Sequence, residues 1–207
     1  MTGRTGMAGW ERIVALFARC RDDRRGVTAL EFALAGPVLI ILLLGIFDIG
    51  HMTYVTSVLQ GAVQSVARNS ALETADTATE DAYVEEMVQR VAPGATVTTS
   101  RKSYYDFADI DRPESWNDTN NNGTCDNSET YTDENKNGRW DADVGKSGNG
   151  GANDVVVYTV TMTYKPLFPI PWITDSNATR TLEASAVKKN QPFSLQNSLG
   201  SAAGSCD

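Results

Sequence analysis

The chain has 207 residues, 41% of them hydrophobic, and a formal net charge of −8 from 18 Lys plus Arg against 26 Asp plus Glu. That length excludes a large multidomain enzyme, and the acidic balance opposes binding to nucleic acid or anionic lipid. His51 is the only histidine and no Cys-x-x-Cys occurs, so a zinc site or a Ser-His pair has nothing to build on.

Charge is spread unevenly. Residues 1–26 hold six Arg against three acids, which leaves the remainder with a net charge of −11. Phe32 to Phe47 reads FALAGPVLIILLLGIF, sixteen residues without a charge, and extension back to Val27 admits only Glu31. A helix rising ~1.5 Å per residue over this stretch can cross a hydrocarbon core of about 30 Å. Arg19, Arg21, Arg24 and Arg25 crowd the N-terminal flank, and the next Lys or Arg is Arg68. Basic flanks stay in the cytoplasm, so the N-terminus is expected inside and the acidic remainder outside. A cleaved secretory signal fits poorly, because the apolar run leads into Asp48-Ile49-Gly50-His51 and not into small residues. Glu31 and Pro37 stand out in the segment. The first is a carboxylate at the edge of lipid, and the second removes a helical donor.

The stretch from Arg24-Arg25-Gly26-Val27 through Glu31-Phe32 to Gly36-Pro37 and the Leu/Ile run resembles the N-terminus of the TadE-like pseudopilins of tight-adherence systems. The likeness continues through Asp48, Ala62, Ala67-Arg68 and Ala71. The resemblance implies a bacterial inner-membrane protein with a single pass, a cytoplasmic N-terminus and a periplasmic or extracellular C-terminal domain. It also implies a prepilin peptidase that cuts between Gly26 and Val27. Glu31 and Phe32 then become the acid-aromatic pair of the mature chain. Glu31 of one subunit can pair with the amino terminus freed at Val27 of a neighbour, since two opposite charges buried together cost less than either alone. The implied partners are the peptidase, other pilin or pseudopilin subunits and the inner-membrane assembly platform, with no nucleic acid.

Met52, Val55, Val58, Leu59, Ala62, Val63, Val66 and Ala67 repeat at helical spacing, which predicts that the membrane helix continues to about Thr74. The chain therefore divides into a basic leader at 1–26, a helix at 27–74 and an extracytoplasmic domain at 75–207. Thr77-x-x-Glu80 predicts a capping box for a second helix with Val84, Met87, Val88 and Val91 inside, stopped by Pro93-Gly94. Strands are predicted over Thr96 to Tyr105, Asp154 to Tyr164 and Thr179 to Val187. In the middle one Val156, Tyr158, Val160, Met162 and Tyr164 share a face. Pro166, Pro169 and Pro171 mark a loop around Phe168 and Trp172, and Asn190 to Asp207 reads as an irregular tail. The fold class is α+β: a long membrane helix that continues into a small pilin-like domain of helix on antiparallel sheet, with a calcium-loop insert.

That insert, 106–151, holds a tandem repeat. Asp118-Thr-Asn120-Asn-Asn122-Gly123-Thr124-Cys125-Asp126-Asn-Ser-Glu129 fits D-x-[DN]-x-[DN]-G-x5-E throughout. Asp133-Glu-Asn135-Lys-Asn137-Gly138-Arg139-Trp140-Asp141-Ala-Asp143-Val144 lacks the final Glu, so Asp143 or a shared Glu129 is expected to close it. Calcium takes six to eight oxygens on a sharply turned loop. Asp118, Asn120, Asn122, Asp126 and Glu129 would supply side-chain oxygens and Thr124 a carbonyl. Asp133, Asn135, Asn137, Asp141 and Asp143, with the carbonyl of Arg139, would do the same in the second copy. One good site and one weaker one follow. A hydrated loop without metal is the plainer alternative, since Asn, Asp and Gly also favour turns. Cys125 and Cys206 both follow the membrane segment, where they either pair or remain two unrelated thiols.

No nucleophile-base pair or phosphate loop appears, and an enzyme is not expected. The resemblance implies a minor pseudopilin with a structural role in starting or anchoring a pilus. The residues alone also allow an uncleaved, membrane-anchored calcium-binding surface or adhesion module.

Overall fold

An uninterrupted helix, α1, runs from Val27 to Asn69 in the computed structural model, with Pro37 inside it. The structure describes residues 26–70, 76–126, 128–170, 175, 178–192 and 201–206. The basic leader before Gly26, the stretch 71–74 of the predicted long helix, Pro171, Trp172 and half of the tail (193–200 and 207) lie outside the described residues. The chain forms two compact units, Met1–Ile49 with Phe168–Thr174, and Gly50–Leu167 with Asp175–Asp207.

In the first unit the helix presents large apolar side chains outward, Phe32 and Leu34 among them, at 73% and 72% exposure. Its length and composition suffice to cross a membrane, and an apolar helix face so open suits contact with lipid or with another apolar surface. Phe168 of the proline loop packs on Phe47 with ring centroids 5.8 Å apart.

In the second unit the pattern turns amphipathic. Val55, Leu59, Ala62, Val63, Val66 and Ala67 are buried at the three- and four-residue spacing of one helix face. Helix α2, Thr77–Val91, adds Val84 and Val88, with Met87 and Val91 at the margin of the same core. Its N-cap is Asp76, whose carboxylate accepts from the Ala78 backbone at 3.1 Å and the Thr79 hydroxyl at 2.6 Å. The predicted Thr77-Glu80 box does not form. The better acceptor stands one residue earlier, and Glu80 turns inward instead.

Six strands follow among the described residues: β1 Thr96–Tyr104, β2 Thr130–Asp133, β3 Lys146–Ser147, β4 Val155–Tyr164, β5 Arg180–Lys189 and β6 Ala202–Ser205. Four form an antiparallel sheet in the order β3-β1-β4-β5. Tyr158, Val160, Met162 and Tyr164 of β4 join the helix core, while the alternating Thr159, Thr161 and Thr163 lie half-buried on the opposite side. Each fully buried apolar side chain of this kind contributes about 1.5–3 kcal/mol. The tail is not wholly irregular: β6 pairs with β2 as a separate two-stranded ribbon.

Several polar groups at the helix-sheet contact pair with one another, although Arg101 Nε is buried without a hydrogen-bond partner. Arg101 on β1 bonds Asp81 at 2.8 Å, reaches Glu80 at 3.5 Å, and lies 4.2 Å from the Tyr158 ring centroid. Burial by itself would raise Asp81, but hydrogen bonds from Arg101, Tyr158 and Thr99 outweigh it and hold the carboxyl below its ordinary value. Glu80 is raised, because burial exceeds the opposing pull of Arg101 and Lys188. Lys188 is buried, donates to the Ser70 carbonyl and, at 2.8 Å, to Asn149 Oδ1, and is pushed down to about 8 by burial against the attraction of Glu80.

Candidate functional site: the helix start and the paired acidic loops

The predicted cleavage junction falls at a structural boundary. Gly26 is exposed, a Cβ added there would meet no other side chain within 4 Å, and α1 begins at Val27. Glu31 and Phe32 follow one turn later, both exposed. The helix therefore begins on the residue that would carry the new amino terminus.

Both acidic loops wrap their backbone on their own side chains. In the first, Asp118 accepts from the Asn122 backbone at 3.1 Å and from Gly123 at 2.9 Å. Asn120 Oδ1 accepts from Asn122 at 2.9 Å and Asn122 Oδ1 from Thr124 at 2.7 Å. The second loop repeats this. Asp133 accepts from Asn137 at 3.2 Å and Gly138 at 2.8 Å, Asn135 Oδ1 from Asn137 at 3.1 Å, and Asn137 Oδ1 from Arg139 at 2.9 Å. Gly123 and Gly138 take φ of +76° and +81°, a conformation glycine adopts without strain. Asp126 is held by the amides of Asn120 at 3.0 Å and Asn122 at 2.9 Å; Asp141 is held by Asn135 at 2.7 Å and by Asn137.

The closing position differs from expectation in the second loop. Glu129, 4% exposed, folds over the first loop, and Oε1 accepts from the Thr119 backbone at 2.7 Å. Asp143 does not close the second. It bonds Lys102, the Tyr104 hydroxyl at 3.1 Å and the Gly145 backbone at 3.0 Å, facing β1. Hydrogen bonds from Lys102, Gly145 and Tyr104 outweigh burial and lower its carboxyl. Glu129 is not shared either. The carboxylate over the second loop is Glu114, which has no exposure and which a search running forward from each loop's first Asp passes by. The signal was present: Glu114-Ser-Trp-Asn-Asp118 and Glu129-Thr-Tyr-Thr-Asp133 are copies of one pattern.

Cys125 and Cys206 form a disulfide with Cα atoms 5.6 Å apart. Trp140, at the matching place in the second loop, donates its indole N–H to the Glu114 carbonyl at 3.0 Å and packs edge-on against Trp116. Among the described residues, no three or more His, Cys, Asp or Glu side chains gather into a group that could hold a metal ion. The loops' oxygens are engaged by N–H donors. Half a turn of the terminal bond of Asn120 or Asn122 would exchange amide hydrogens for an oxygen facing Asp126.

Residues 26–68 match the model of the TadE-like protein family. This is a TadE-like helix. The match opens on Gly26 and closes within the last turn of α1, so the likeness covers that helix and not the residues beyond it. Comparison with curated proteins and with solved structures gives no match.

Proposed function

We propose that the chain is a minor pseudopilin of a tight-adherence pilus apparatus, made as a precursor and cut between Gly26 and Val27 by a prepilin peptidase. The observation that carries this reading is the coincidence of two boundaries: the TadE-like match begins at Gly26 and the helix at Val27. A peptidase needs an accessible bond, and Gly26 is exposed with open space where a side chain would stand. The arginine-rich leader places it on the cytoplasmic face and the acidic domain beyond the membrane. Glu31 pairs with the amino terminus of a neighbouring subunit, so the role is structural and not catalytic, and the partners are other pilin subunits and the inner-membrane platform.

The insert belongs to the same proposal as a calcium-ordered surface of that subunit. It is supported by the full ligand spacing of 118–129 and by loop glycines in the left-handed region, and a bound ion would stabilise the loop by mass action. Mass spectrometry of the mature N-terminus tests the main reading. Val27 is expected. An intact Met1 refutes processing and favours the uncleaved, membrane-anchored calcium module.

A further inference from the structure

We infer that Lys188 and Asn149 are the two halves of an intramolecular isopeptide bond: the Lys188 amine attacks the Asn149 side-chain amide and expels ammonia. The bond requires neither processing at Gly26 nor a metal ion in the acidic loops.

The reacting groups already touch. Lys188 is 8% exposed, near the end of β5, and its Nζ donates to Asn149 Oδ1 at 2.8 Å. Nζ also donates to the Ser70 carbonyl, and that same carbonyl accepts from Asn149 Nδ2 at 3.1 Å. One oxygen thus holds both the nitrogen that attacks and the nitrogen that leaves. Buried lysines are rare unless paired with a carboxylate. Among the described residues Lys188 is in no ion pair, and amide and carbonyl oxygens stand where a carboxylate would.

The loop that carries the amide is pinned. Asn190, itself 4% exposed, donates from Nδ2 to the Asn149 carbonyl at 2.7 Å and to the Gly151 carbonyl at 2.8 Å. The Gly151 N–H donates to Asp154 Oδ2 at 2.6 Å. Gly150 between them has φ of +63°, and a Cβ there would meet Asp154 Oδ2 at 2.7 Å. An amide is inert to a free amine in water. Holding the two in contact is equivalent to an effective concentration of about 10⁵–10⁸ M.

The attack needs an uncharged amine, and the surroundings favour one. Glu80 and Arg101 are the charged groups whose fields reach Lys188. Burial pushes the Lys188 amine down to about 8 and pushes the Glu80 carboxyl up, so both groups lean to their neutral forms. Once the ammonium has shed its extra proton, a turn about the last side-chain bond swings the lone pair on to Asn149 Cγ. The Nζ–Cγ bond forms, the Cγ–Nδ2 bond breaks, and one Nζ proton moves to Nδ2, which departs as ammonia. One amide replaces another, nothing is oxidised or reduced, and no co-reactant is consumed. The product ties β5 to the loop beside the end of α1, closing a ring between residues 39 apart in sequence. In that product Lys188 no longer titrates.

The full chain, purified in detergent micelles and then reduced and digested, is mapped by tandem mass spectrometry. A branched peptide joining Lys188 to Asn149 is expected, lighter by one ammonia than its two linear parts, with tryptic cleavage after Lys188 lost. Asn149→Ala and Lys188→Arg should each restore the linear peptides. Closure of Asn149 on to the Gly150 nitrogen would lose the same mass as a succinimide; hydroxylamine opens that ring and leaves the isopeptide bond intact. Linear peptides alone from wild-type chain held folded for days at about pH 9, where the amine is free, overturn the proposal without any variant having to fold. A mass loss that persists in Lys188→Arg, or that yields to hydroxylamine, overturns it as well.

Discussion

Replacing both Cys125 and Cys206 by Ser tests how the insert is held to the rest of the chain. The bridge joins residues 81 apart in sequence. For a closed loop of that length the chain-entropy account gives a loss of about 4.5 kcal/mol. The measured loss should be smaller, about 2–4 kcal/mol, because the β2-β6 pairing and the acidic loop keep the two ends near each other after the bond is gone. Against a whole-domain stability of about 5–15 kcal/mol that is a large share. Urea unfolding of the full chain in micelles, followed by tryptophan fluorescence, should show the midpoint falling by roughly 1–2 M. Wild-type protein in excess reductant should behave as the double variant does. A variant within about 0.5 kcal/mol of wild type would show that the bridge closes a loop already closed by other contacts.

Other outcomes follow from particular contacts. Calcium chelation should speed proteolysis between Phe107 and Gly151, with equal cutting rates counting against an ion-ordered insert. Where its amine is free, Lys188 titrates at about 8 when folded against 10.5 in the ordinary state, so the unfolded chain holds more protons between those values and stability should rise with pH there, on the order of 3 kcal/mol at most. Lys188→Met should remove that rise, seen as the difference between variant and wild-type unfolding curves; the raised Tyr104 and Tyr158 act oppositely in both proteins above the usual tyrosine value. Gly204→Ala sets a Cβ 2.3 Å from Tyr131 Cζ, and a shift of ring or strand should cost about 1–3 kcal/mol in urea unfolding. Glu31→Ala should block recovery of the chain in sheared pili while leaving cleavage at Gly26 intact on immunoblots; normal assembly would remove Glu31 from the subunit contact.

The parts of the fold legible in the sequence are those where one physical signal dominates. An apolar run with a basic flank gives α1, and strict alternation of large apolar residues with threonine gives β4. The acidic loops are readable because Asp, Asn and Gly must fall at fixed places for the backbone to wrap. Strand β6 was not readable. Ala-Ala-Gly-Ser has little preference for extended structure, and it forms a strand because Tyr131 needs a bare glycine beneath its ring and Cys206 anchors the next residue. Glu114 was missed for a similar reason: its partner loop lies beyond an intervening copy of the same pattern, so local spacing points away from it. The N-cap of α2 slipped by one residue because two acceptors, Asp76 and Thr77, stand side by side and only their geometry separates them.

The ribbon of β2 and β6 makes the insert a poor candidate for clean excision. Cutting out 106–151 would strip Ala202–Ser205 of β2, its strand partner among the described residues, and turn Cys206 into an unpaired thiol. A preparation so shortened would carry a sticky edge beside a reactive sulfur, the two ingredients of a covalent dimer. Any loss of assembly seen with it would then report cross-linked subunits as readily as a missing docking surface.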